Sequence, residues 1–253
     1  MTEERRNRMK AFITEQLHVR TQELERLFPD VSVMTIRRDL AALEAEGSII
    51  RTRGGARVNG QKLGMAEDMY SHREQSQVDA KRVISEKAVA FLEEKRSIYL
   101  DAGTTMMTLA RRIPDRDLVL FTSAPNIAMD LVLRTQKPQV TLLGGAISRN
   151  TLAASGRASL EHLKTINIDV AFMATSAFSP AAGFTAGNPY EAELKAEAIR
   201  KSRRVIMLMT ADKAGRDMPY TFARMSDIDV LICEKRPGDD VMSAAEENGV
   251  VVL

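Results

Sequence analysis

The chain of 253 residues is 44% hydrophobic and 28% charged, with 14 glycines and 8 prolines, which excludes a collagen, a disulfide-stapled miniprotein and a disordered tail and leaves a globular protein of one large domain or a small one beside a medium one. The single cysteine, Cys233, forms neither an internal disulfide nor a cysteine zinc cage, which fits a reducing cytoplasm; apolar runs such as 205–209 are far shorter than the ~20 residues of a membrane span, and Met1-Thr-Glu-Glu-Arg-Arg6 is unlike a signal peptide, so no membrane role is expected. The net charge of +2 is small, but residues 1–60 hold all of it, with 11 Lys+Arg against 9 Asp+Glu and five arginines between Arg37 and Arg57.

Met9, Phe12, Ile13 and Leu17 recur at helical spacing and predict a first helix with one buried face. A second, from Gln22 to about Phe28, turns Leu24, Leu27 and Phe28 to one side and stops at Pro29, whose ring and missing N–H oppose continuation. Ser32 is a natural N-cap for a third helix, its hydroxyl placed for the N–H of Met34 or Thr35, and Gly47 suits the C-terminal stop. On that helix Val33, Ile36, Leu40 and Leu43 are expected in the core, Met34, Thr35 and Arg38 face outward, and Arg37 lies at the rim. This is the pattern of a helix-turn-helix, whose second helix reads base edges in the major groove with its first residues. Ser48 to Val58 then forms two β-prone arms around Gly54-Gly55, which supply the positive φ of a tight hairpin, and the arms carry Arg51, Arg53 and Arg57 as a basic wing.

Residues 59–80 are polar without periodicity and read as a linker between a winged helix at 1–58 and a second domain at 81–253. In the latter, helices at 83–92, 106–112, 127–134, 192–201 and 239–248 alternate with strands at 97–100, 118–122, 139–143, 170–174, 205–209, 230–232 and 250–252, which predicts a mostly parallel sheet.

Ligands of such sheets bind outside the carboxyl ends of the strands. There the chain places Asp101-Ala-Gly-Thr-Thr105 directly before a helix, Thr122-Ser-Ala-Pro-Asn126 before another, and Gly144-Gly145. Singly, each reads most simply as a helix cap or a turn; jointly they favour a polar ligand. The expected site is a phosphate cradle at Asp101, Gly103, Thr104 and Thr105, flanked by Ser123, Asn126, Gly144 and Gly145. Asp101, itself an anion, is better suited to sugar hydroxyls and calls for a nearby cation. Lys213 is the first choice, after the strand at 205–209, and Lys195 the reserve, where an i, i+4 surface pair with Glu191 is as simple a reading. His18, His72 and His162 are scattered, and there is no metal-ligand spacing, nucleophile elbow, Walker loop or dinucleotide fingerprint, so neither cofactor nor metal is called for.

Ser32-Val-Met-Thr-Ile-Arg-Arg-Asp-Leu40, Leu43-Glu-Ala-Glu-Gly47 and Arg51-Thr-Arg-Gly-Gly-Ala56 strongly resemble the DNA-binding signature of DeoR/GlpR-type bacterial transcription regulators. The resemblance runs on through Arg73, Lys81, Leu100-Asp-Ala-Gly-Thr-Thr105, Leu143-Gly-Gly145, Gly156, Asp169-Val-Ala-Phe172 and Glu191-Ala-Glu-Leu-Lys195. It implies a winged helix joined to an α/β sensor domain similar in fold to ribose-5-phosphate isomerase and the coenzyme A transferases, in a protein, most often a repressor, that senses a phosphorylated sugar or related metabolite. Two features depart from the family: 28–32 is one residue longer than the usual connection, and Thr210 stands where an acid usually precedes Lys213 by three residues. On this reading Arg38, with Arg37 beside it, contacts guanine edges of operator DNA, Met34 and Thr35 make nearby base or phosphate contacts, Arg51 and Arg53 meet phosphates or the minor groove, and a homodimer or homotetramer pairs two half-sites. The rival is a sugar-phosphate isomerase or transferase with Asp101, Glu191 or Asp212 as base; it leaves the winged helix without purpose. A protein-interaction module with a degenerate helix-turn-helix fits poorly with the intact Arg37-Arg38 pair.

Overall fold

The computed structural model describes residues 2–16, 18–46, 48–52, 54–58 and 68–253, and the chain divides into two compact units, 1–63 and 64–253.

The first unit runs α1 (Thr2–Gln16), β1 (His18–Arg20), α2 (Thr21–Leu27), α3 (Val33–Ala45), β2 (Ile49–Thr52) and β3 (Gly55–Val58). Met9 and Ile13 of α1 meet Leu24 of α2, Ile36, Leu40 and Leu43 of α3 and Ile49 of β2 in one buried cluster. The helical stripes therefore pack as their spacing predicts, with one exception. Val33 is not in the core: it belongs to the first turn of α3, ahead of the point where the helix meets its neighbours, and is 41% exposed. The Ser32 hydroxyl accepts the Thr35 N–H and so caps α3. Gly47, the expected stop, lies outside the described residues, as does Leu17.

The wing is a three-stranded antiparallel sheet in the order β1-β3-β2. The third strand, β1, is three residues long and too short to show alternation in the sequence. It also divides the work of the two glycines. Gly54 has the positive φ, +104°, whereas Gly55 sits where a Cβ would come within 2.0 Å of the Val19 carbonyl oxygen. Only one glycine makes the turn; the other lets β3 approach β1.

The second unit carries α4 (Tyr70–Gln75), α5 (Val78–Ala88), β4 (Ser97–Leu100), α6 (Thr104–Ala110), β5 (Val119–Thr122), α7 (Pro125–Arg134), β6 (Gln139–Leu142), β7 (Ala146–Ile147), β8 (Ala154–Ser155), α8 (Arg157–Lys164), β9 (Ile168–Ala174), β10 (Ala177–Ser179), β11 (Gly183–Ala186), α9 (Pro189–Lys201), β12 (Ser202–Leu208), β13 (Tyr220–Ala223), β14 (Val230–Ile232), α10 (Asp239–Glu247) and β15 (Val251–Val252). Seven strands form a parallel sheet in the order β15-β14-β12-β9-β4-β5-β6. Strand side chains alternate between two cores. Tyr99, Ala171, Met173, Met207 and Leu231 face Leu163 of α8, Leu194 of α9 and Val241 of α10. Ile98, Leu100, Phe172, Ile206, Leu208 and Ile232 face Ile84 of α5, Met106 of α6 and Ile127 of α7. Burial on both faces is why these strands read as continuous apolar runs.

Part of the expected linker is structured. Residues 59–67 lie outside the described residues, but α4 and the start of α5 occupy 70–80. Tyr70 is buried and accepts a hydrogen bond from Asn126 Nδ2 at 2.9 Å. The short antiparallel sheet β10-β11-β13, the β7-β8 pair and α8 are also additions to the pattern read from sequence.

The strand order reverses at β4: β5 and β6 follow on one side, β9, β12, β14 and β15 on the other. In a doubly wound sheet this leaves a crevice beyond the carboxyl ends of β4 and β9.

Candidate functional site

In the first unit the face that α3 turns to solvent is apolar and cationic. Met34 is 73% exposed, and Arg37 and Arg38, one turn on, are exposed and without an ion pair among the described residues. Thr35 is half-buried, its hydroxyl in hydrogen-bond contact with Ser32 Oγ at 3.0 Å. Ser32 and Thr35 thus hold the helix start, with Ser32 exposed to solvent. In β2, Arg51 is exposed, and its backbone N–H donates to Glu44 of α3 at 2.9 Å, tying the wing to the helix. Arg53 lies outside the described residues.

A residue the sequence reading passed over sets the angle of this helix. The carboxylate of Asp39 is fully buried, and its two oxygens accept from Arg5 Nε at 2.7 Å and Arg6 Nε at 3.0 Å, both on α1. Burial raises its pKa, but the hydrogen bonds and charges of the two arginines outweigh that and hold it below the usual carboxylate value. Arg5 and Arg6 show no hydrophobic period, so their pairing was not visible in the sequence.

In the second unit the crevice at β4 and β9 is a narrow cleft that opens to solvent. Asp101, Gly103, Thr104 and Thr105 line it from the β4–α6 turn, Ser123 from the end of β5, Thr175 and Ser176 from the end of β9, Glu191 and Lys195 from α9, and Lys213 from the turn after β12. Gly103 has φ +116°, a conformation that favours glycine, and brings the chain into α6 so that the buried hydroxyls of Thr104 and Thr105 sit at its start.

Asp101 is neutralised by Lys195, not Lys213. Lys195 Nζ pairs with Asp101 Oδ2 and donates to the Ala174 carbonyl at 2.9 Å, while the Ala174 N–H donates to the same carboxylate oxygen at 2.9 Å. The Phe222 ring lies 5.3 Å from Nζ. Glu191 does not pair with Lys195 across the helix turn; it is buried and accepts from the Thr151 hydroxyl. Lys213 lines the cleft and donates to the Thr175 carbonyl at 2.5 Å. Thr210, in the place of the family's usual acid, is buried, and Asp212 is engaged by Arg216 at 3.6 Å rather than facing the cleft.

Three expected flanking residues stand aside. Asn126 holds Tyr70, and Gly144 and Gly145 do not line the cleft. Gly144 offers its carbonyl to the Ser159 hydroxyl, and Gly145, at φ +144°, stands where a Cβ would come within 2.5 Å of the Ser155 carbonyl oxygen. Their signal was backbone geometry, which in sequence looks the same as a ligand loop.

The cleft also gains residues. Arg73 of α4 lines it and donates to the carbonyls of Asp68 at 3.1 Å and Asn150 at 2.9 Å. Buried Lys81 caps α4 by donating to the Arg73 carbonyl and, at 2.7 Å, to that of Ser76. Burial, with Arg73 close by, pulls the Lys81 ammonium down to about 8. Arg73 and Thr151 escaped the sequence pattern because Arg73 precedes the sheet in a polar stretch and Thr151 lies in the loop between β7 and β8 rather than at the end of a parallel strand.

A winged helix with a cationic recognition face, joined to an α/β unit with a polar cleft at its switch point, defines a DNA-binding regulator with a sensing domain. Residues 5–62 match the model of the DeoR-like helix-turn-helix domain and residues 76–235 that of the DeoR C terminal sensor domain. The chain belongs to the DeoR family of transcription regulators. It is 34% identical over 223 residues to the HTH-type transcriptional regulator GlpR of Haloferax volcanii, covering 88% of this chain and 86% of that protein. It is 28% identical to the HTH-type transcriptional repressor GlcR of Bacillus subtilis, over 99% and 95%, and 26% identical to the L-fucose operon activator of Escherichia coli, over 81% and 84%. Among solved structures, ribose 5-phosphate isomerase A of Methanocaldococcus jannaschii superposes with a TM-score of 0.40 at 14% identity over 55% of each chain, a likeness too slight to bear on function. The family assignment makes the chain a regulator rather than an enzyme. No helix among the described residues is long and apolar enough to cross a membrane.

Proposed function

We propose that this chain is a repressor whose grip on operator DNA is controlled by a phosphorylated sugar seated in the cleft between β4 and β9. The observation that carries the proposal is the charge arrangement there. Three cationic side chains, Arg73, Lys195 and Lys213, line the cleft together with the buried Thr104 and Thr105, and Lys195 pairs with Asp101. A phosphate held by Thr104, Thr105 and the N–H groups of the turn, with Arg73 and Lys213 supplying charge, leaves Asp101 and Glu191 to accept from sugar hydroxyls. In the first unit, Arg38 and Arg37 read guanines, while Arg51 and Arg53 hold phosphates beside the Gly54-Gly55 turn. One recognition helix reads only a few base pairs, so two copies on paired half-sites follow, and sedimentation of the free and DNA-bound chain as a monomer would exclude this.

The test is Thr104→Ala combined with Lys213→Ala, read by fluorescence anisotropy on DNA selected by the wild type. The double variant keeps its affinity without ligand and loses the response to a panel of triose, pentose and hexose phosphates. A response at wild-type concentrations would place the effector elsewhere.

A further inference from the structure

Val33 and Met34 make up the first turn of α3 and present their side chains to solvent, although the sequence pattern assigns Val33 to the core. The residues of α3 that the winged helix buries are Ile36, Asp39, Leu40 and Leu43. One turn on, Arg37 and Arg38 are exposed as well. At 100° per residue, residues four apart lie about 40° from each other, so α3 offers two columns, Val33 above Arg37 and Met34 above Arg38. The neighbouring polar side chains do not compete for this surface. Ser32 and Thr35 hold each other at 3.0 Å, and the Thr35 N–H is spent on Ser32. The leading end of the helix therefore has apolar groups to offer and the next turn has cations.

Among the base edges in the major groove, one group is apolar, the C5-methyl of thymine. We infer that Met34, with Val33 beside it, packs on thymine methyl groups and so fixes thymine at positions close to, but not adjoining, the guanines read by Arg37 and Arg38. The inference rests on α3 being the recognition helix. Its geometry sets the spacing: four residues rise ~6 Å along a helix and a base-pair step ~3.4 Å, so the thymines stand about two base pairs from the guanines. The flexible thioether of Met34 adapts to a methyl at more than one height, whereas Val33, stiff at χ1, accepts one.

Uracil differs from thymine by this methyl alone, which gives the test. Duplexes bound by the full-length protein are selected from a random pool, and each recurrent thymine is replaced in turn by uracil. The wild type is expected to bind about fourfold more weakly for each contacted methyl lost, since one buried methyl is worth about that factor. At the thymine that Met34 contacts, Met34→Gln is expected to bind thymine and uracil duplexes equally, with the salt dependence of binding unchanged, because no phosphate contact is removed. Equal binding of both duplexes by the wild type, while Arg38→Ala still alters the selected bases, would overturn the methyl contact and leave the helix reading intact. Should Arg38→Ala also leave the selected bases unchanged, α3 is not the reading helix and the inference falls with it.

Discussion

Replacing Asp39 with asparagine tests whether the α1–α3 ion triad holds the recognition helix. The carboxylate is fully buried and accepts from two guanidinium groups at 2.7 and 3.0 Å, whereas the Arg5 and Arg6 side chains keep 20% and 30% of their surface open to water. A hydrogen bond to a charged group is worth ~1.5–3 kcal/mol. Two such bonds set an upper bound near ~6 kcal/mol, and rehydration of the partly exposed arginines reduces the loss to roughly 2–4 kcal/mol. A unit of about 60 residues has only ~3–9 kcal/mol of stability, so the variant spends a large share of it. Hydrogen exchange by mass spectrometry on the full chain separates the two units. Amides of α1 and α3 are expected to exchange about a hundredfold faster, and those of β4, β9 and β12 at the wild-type rate. Because the folded pKa of Asp39 is lowered, its contribution is present above the unfolded carboxylate value and disappears as pH falls through the folded one. Wild type and variant therefore differ by a constant amount from neutrality to about pH 5 and converge at lower pH. Equal exchange in α1 and α3 at pH 7, or equal acceleration in both units, would refute this role.

Gly55→Ala forces a Cβ onto the Val19 carbonyl and is expected to break the β1–β3 pairing, lowering both the melting temperature of the winged helix and its DNA affinity. Gly54→Ala, with open space but φ +104°, is expected to cost only about 1 kcal/mol. Arg51→Ala is expected to lower the slope of log K against log salt by about one unit with sequence preference unchanged; an unchanged slope removes Arg51 from the phosphate contacts. Lys195→Met leaves the buried Asp101 carboxylate unpaired, costing ~3–5 kcal/mol, or roughly 10 °C in the calorimetric transition of the second unit. Asp101→Asn in the same chain is expected to recover most of that, and a lack of recovery would show that Lys195 acts through something other than the pair.

What could be read from sequence was whatever a single element declares about itself. The stripe Ile36, Leu40 and Leu43, the Ser32 cap and the apolar runs of the parallel strands depend on local spacing, and the structure keeps them. The residues at the ends of β4 and β5 were legible for the same reason: small and hydroxylated side chains before a helix stand out. Pairings across the chain were not. Asp101 and Lys195 are 94 residues apart, and the choice of Lys195 over Lys213 as its partner is made by α9 packing on β9, which no spacing reveals. Arg73 is delivered by a six-residue helix too short to show a period, and Val33 carries a core residue's chemistry on a turn that nothing covers.

Control of DNA binding by a sugar phosphate is tested most directly by titrating the wild-type protein on its selected duplex with triose, pentose and hexose phosphates, each beside the same sugar without phosphate. At least one phosphorylated sugar is expected to weaken binding tenfold or more while its unphosphorylated counterpart has no effect. An affinity unmoved by every phosphate, or moved equally by the bare sugar, would contradict the assignment of the cleft.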